Sequence, residues 1–71
     1  MAAGRILPLA RVVSEARALR PGILIGAGLQ QERHHRGYLY EVWMLDAAGI
    51  VWELEFDATT GQLIEHERED R

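Results

Sequence analysis

The chain contains no cysteine and no lysine, only two prolines, and no apolar run approaching the roughly 20 residues that span a bilayer. The missing cysteine excludes a cysteine nucleophile, a thiolate zinc site and a disulfide scaffold, and it leaves cytoplasm and cell exterior equally open. With neither disulfides nor a thiolate metal site, an apolar core must hold the fold. All eight basic residues are arginine, which reads as genome base composition rather than as a built phosphate clamp. Met1–Pro8 carry no long apolar segment of the secretory-signal kind, and no span of the chain is expected to cross a membrane.

What is there is one small domain. Seventy-one residues with 48% hydrophobic and 27% charged content are ordinary globular composition, although a chain this short buries only about 60% of its unfolded surface. The net charge of −3 hides an asymmetry. From Met1 to Gly37 six arginines face two acids, whereas from Tyr38 to Arg71 two arginines face nine acids. An acidic second half argues against a nucleic-acid partner, which requires a positive surface.

After Pro8, apolar residues at Leu9, Val12, Val13, Ala16 and Leu19 repeat at helical spacing, and Arg20-Pro21-Gly22 ends the element. The period then becomes two. Ile23, Ile25, Ala27 and Leu29 alternate with Leu24, Gly26, Gly28 and Gln30, and the first set is expected to face the helix. His34-His35-Arg36-Gly37 reads as a turn, followed by strands at Tyr38–Leu45, Ile50–Asp57 and Gln62–Arg68. A three-residue Ala47-Ala48-Gly49 loop with Gly49 left-handed would pair Met44 with Trp52, Val42 with Leu54 and Tyr40 with Phe56. In the last hairpin Leu63 or Ile64 faces the core, depending on loop length, and Leu63 is preferred. The fold class is α+β: one N-terminal helix on a three- to four-stranded antiparallel meander spanning residues 6–66, with frayed ends at 1–5 and 67–71.

The helix closed by Arg20-Pro21-Gly22, the strand Tyr40-Glu41-Val42 and the stretch Trp52-Glu53-Leu54-Glu55-Phe56-Asp57-Ala58-Thr59-Thr60-Gly61-Gln62-Leu63 together resemble the PepSY domain family. The likeness runs from about Ile6 to Glu65. It implies a non-catalytic domain outside the cytoplasm, periplasmic or secreted, of the kind that accompanies peptidase inhibition or envelope signalling. These 71 residues hold no peptidase domain of their own, so the resemblance leads to the expectation of a separate partner protein, a peptidase or membrane sensor. Asp57 and Gly61 fall on the family's turn signature; physically, Asp57 can accept from turn amides and Gly61 can supply a left-handed residue.

Several constellations bear on chemistry. Glu53 and Glu55, with Glu41 and Asp57 near, form paired carboxylates, but an open sheet face is expected to give neither a cleft nor the separated pKa values that acid–base work needs, so no catalytic residue is assigned. His34, His35 and His66 lack the spacing of a metal site, and acids around His66 would raise its proton affinity. No cofactor motif is present. Leu24, Leu39, Trp43, Leu45 and Val51 should form an exposed apolar patch on the helix-free face, rimmed by Glu41, Glu53 and Glu55, suited to a protein partner or to homodimerisation. The alternative is a small-ligand or signal-sensing module with its site formed between subunits.

Overall fold

Pro8 stands just outside the helix as its N-cap, with extended backbone (φ −61°, ψ 141°), and Arg20 leaves helical geometry at the other end (φ −136°), so the helix α1 runs Leu9–Leu19. The computed structural model describes residues 5–32 and 37–69. α1 has no side-chain cap and no acid in its first turn, so tertiary packing rather than local signals must hold it. Val12 and Ala16 supply that packing: both are buried, and α1 lies over the second strand. The entry segment is tied down separately, Leu7 N donating to Ala58 O (2.8 Å) and Tyr40 Oη to Leu7 O (2.6 Å).

Four antiparallel strands follow in meander order: β1 (Ile23–Glu32), β2 (Gly37–Leu45), β3 (Val51–Asp57) and β4 (Leu63–Arg68). The His34-His35 turn expected between β1 and β2 lies outside the described residues. β2 and β3 pair in the register read from the sequence, with Tyr40 opposite Phe56, Val42 opposite Leu54 and Met44 opposite Trp52. Gly49 is left-handed (φ 83°). Asp46 organises this loop with both carboxylate oxygens. Oδ1 accepts from Ala48 N and Ile50 N (each 2.9 Å), and Oδ2 accepts from Trp52 Nε1 (2.9 Å). These bonds hold the Asp46 carboxyl below its ordinary 3.8, and Arg20 adds to the effect.

The core is Val12, Ala16, Tyr40, Val42, Met44, Leu54, Phe56 and Ala58, with Ile6, Leu24, Trp52 and Leu63 packed against it. Leu63 faces Phe56, while Ile64 falls at a bulge and is exposed. β1 departs from expectation. Its pairing with β2 slips between Leu24 and Gly26, so Ile25 is an extra residue and the facing of the strand resets across it. Leu24 therefore joins Met44 on the helix side, and Ile23 shares the opposite side with Leu45. Ala27 and Leu29 do lie in the rows of Val42 and Tyr40, but on the edge strand beyond the helix's cover. Ile23 (63%), Ile25 (51%) and Leu29 (47%) are thus open to solvent instead of buried, as are Leu9 and Leu19 near the helix ends. At the C-terminal end β4 runs to Arg68 and Glu69 N donates to Val51 O (2.9 Å), so residues 67–69 are held where fraying was expected.

One further cluster joins helix end to sheet. The Arg20 guanidinium lies 3.5 Å from the centre of the Trp52 ring, and its Nε donates to His66 Nε2 (3.0 Å). The His66 and Trp52 rings are 5.3 Å apart. Glu65 and Glu67 pair with acids on the other face, so the carboxylates expected to act on His66 are turned away from it, and an arginine donor meets its ring instead.

The packing predicts a contrast measurable by urea denaturation. Phe56→Ala, which empties a buried site, should cost about 3–5 kcal/mol. Ile25→Ala should change stability by no more than about 0.5 kcal/mol, because the bulge keeps that side chain out of the core. A second expectation concerns the loop. Asp46's depressed folded pKa means its contribution is present above the ordinary carboxylate value and is lost as pH falls through the folded one. Asp46→Ala should therefore lower the unfolding midpoint at pH 7 and lower it much less at pH 2.

Candidate functional site: the helix-free sheet face

Strand pairing places the residues of this face in rows. Ile23, Leu45 and Val51 form one row across β1, β2 and β3. Gly26, Trp43, Glu53 and Glu67 form the next, and Gly28, Glu41, Glu55 and Glu65 the third. Gln30, Leu39 and Asp57 close the face. It is therefore two zones: an apolar corner and an acidic field spread over β2, β3 and β4.

Of the five residues expected to form the apolar patch, Trp43, Leu45 and Val51 share the corner and are half-buried rather than open. Leu39 is on the same face but buried. Leu24 is on the helix side, and its place is taken by Ile23, which alternation assigned to the core and which is the most exposed large apolar residue described. Trp43 owes its partial burial to Gly26. A Cβ on Gly26 would stand 3.4 Å from Trp43 Cε3, so the indole lies against bare backbone of the neighbouring strand.

In the acidic field the carboxylates of Glu41, Glu53 and Glu55 come within 4.8 Å of one another, and Gln30 Nε2 donates to Glu41 Oε2 (2.8 Å). Among the described residues these three are the ones whose oxygens could converge on a hard cation. Burial pushes the Glu55 carboxyl up to about 7, helped by the charges of Glu65, Glu53 and Glu41. Glu53 is raised for the same two reasons, burial first, then Glu41, Glu67 and Glu69. Glu67 is raised chiefly by its hydrogen bond and charge interaction with Glu65. On this open face, expected to give no separated pKa values, Glu53, Glu55 and Glu67 are all shifted in one direction, upward, by partial burial and crowding without a cleft. The hollow of about 260 Å³ lined by Arg5, Ile6, Leu7, Pro8 and Thr59 contains none of these acids.

Asp57 and Gly61 close the β3–β4 turn. Asp57 Oδ1 accepts from Thr59 N (2.8 Å) and Thr60 N (2.9 Å), and Gly61 N donates to Asp57 O (2.8 Å). Gly61 has φ 82°, and a Cβ there would meet Leu7 Cδ1 at 3.1 Å, so glycine is required for both conformation and contact.

Compared with known protein families, curated proteins and solved structures, the chain matches none of them.

The crowding has a pH signature. A carboxyl whose folded pKa is raised from 4.5 to about 7 stabilises the fold fully below 4.5, and that contribution is lost as pH rises through about 7. The unfolding midpoint should rise when pH is lowered from 8 to 5.5. Glu55→Gln should raise the midpoint at pH 8 and flatten the slope, and 0.5 M salt should reproduce part of that gain by screening. A midpoint independent of pH over this range would show that the acids do not strain the folded state.

Proposed function

We propose that this chain is a non-catalytic, extracytoplasmic protein-interaction domain of the PepSY kind. It acts on a peptidase or an envelope-signalling partner through the helix-free sheet face. The observation that carries the reading is the composition of that face: an apolar corner of Ile23, Trp43, Leu45 and Val51 adjoining the carboxylates of Glu41, Glu53, Glu55, Glu65 and Glu67. A partner that brings an apolar contact and a basic rim would relieve the repulsion these acids hold in the free domain. Carboxylates crowded on a solvent-facing sheet fit a surface shaped for another molecule. The PepSY likeness of Trp52–Leu63 supplies the partner class and the compartment.

A photo-crosslinker placed at Val51 in cells of the source organism should capture an extracytoplasmic peptidase or membrane sensor, whereas one at Arg11, exposed on α1, should not. If the captured protein is a peptidase, purified domain should inhibit it and Trp43→Ala should weaken that inhibition at least tenfold. Equal capture from both positions, or recovery of the tagged chain solely from cytoplasm, overturns the proposal.

A further inference from the structure

The two edges of the sheet differ in charge. From Ile23 to Gln31 the edge strand β1 holds no ionisable side chain, while the opposite edge β4 carries Glu65, Glu67 and Arg68 and is followed by Glu69. Exposed edges are normally guarded by charge, proline or brevity. β4 is guarded in this way. β1 is ten residues long, about 33 Å of backbone, and from Ile23 to Gln31, before Glu32 closes it, its guard is the bulge at Ile25. Among the described residues no backbone hydrogen bond reaches its outer side, and Ile25 and Leu29 stand half-exposed along it.

From this asymmetry we infer that β1 is a self-association edge: two copies pair β1 to β1, antiparallel, about a two-fold axis normal to the sheet, giving one eight-stranded sheet. Such a two-fold keeps the helix of each copy on the same side, so both cores and both acidic faces stay aligned with the continuous sheet. The charge layout selects a second copy joined at this edge. With strands spaced about 4.8 Å, the nearest strands of the two acidic fields, β2 with Glu41, would lie three spacings apart, about 14 Å, and the two β3 strands five, about 24 Å, both beyond the Debye length of about 8 Å at physiological salt. Pairing through β4 would instead set two rows of glutamates one spacing apart. Head-to-tail β1–β4 pairing would bring the β4 acids of one copy within two spacings, about 10 Å, of Glu41 on the next copy's β2. The β1–β1 dimer is therefore the strand-paired arrangement that separates the acidic fields most, and it closes because the remaining edges repel. This inference is independent of the partner proposed above, which uses the face and not the edge.

Sedimentation equilibrium tests it directly. Wild-type protein between 5 µM and 500 µM should shift from 8.1 kDa towards twice that mass. Ile25→Lys and Leu29→Glu, both at exposed positions, should each weaken dimerisation at least tenfold while leaving the circular dichroism spectrum and the dilute-solution unfolding midpoint unchanged. Trp43→Ala should leave the dimer intact. Hydrogen exchange at the two concentrations gives a readout that does not depend on variants: β1 amides should gain protection in the dimer and β4 amides should not. A chain that stays monomeric at 500 µM, a dimer indifferent to both edge substitutions, or protection gained on β4 overturns the inference.

Discussion

The register of the β2–β3 hairpin is the constraint on which the rest of the molecule depends. Side chains on a strand alternate between faces, so a slip of one residue would exchange the two sides completely. Asp46 prevents that slip by bonding Ala48 N, Ile50 N and the Trp52 indole at once. With those strands fixed, Tyr40, Val42, Met44, Leu54 and Phe56 must lie under α1, and Glu41, Glu53 and Glu55 must lie opposite. The apolar core and the acidic field are two results of one choice. α1, which lacks capping of its own, is held by the surface that this choice creates.

Much of the fold was legible because its signals are local. Gly49 three residues after Asp46, and Gly61 four residues after Asp57, mark turns whose chemistry depends on neighbours in sequence. β1 was not legible in the same way. Ile23, Ile25, Ala27 and Leu29 make a regular period of two, yet a bulge is decided by how the strand meets β2 and leaves no necessary trace in alternation. Gly26, opposite Trp43 and immediately after the bulge, was the available hint. The same event exchanged Leu24 for Ile23 in the apolar corner, so one extra residue altered both the core and the site, while Leu29 is exposed because it lies on the edge strand.

The Arg20–Trp52–His66 cluster shows a different limit. Arg20 and His66 are 46 residues apart, and nothing in the surroundings of either one names the other. Sequence reasoning associated His66 with Glu65 and Glu67, its nearest charges along the chain. On a strand, however, adjacent residues are the ones that point apart. The acidic field was read correctly as a face but not as an environment: Glu53 and Glu55 are partly buried on β3, an inner strand flanked by β2 and β4.

The two tryptophans now stand on opposite sides of a single sheet, in surroundings of opposite charge. Trp52 lies beneath the Arg20 guanidinium and beside the His66 ring, whereas Trp43 rests on Gly26 in a row with Glu53 and Glu67. Their indoles therefore form a pair of optical reporters that need no added label. Emission from Trp52 follows the docking of the helix end, and emission from Trp43 follows whatever approaches the acidic side. Replacing either by phenylalanine isolates the signal of the other face.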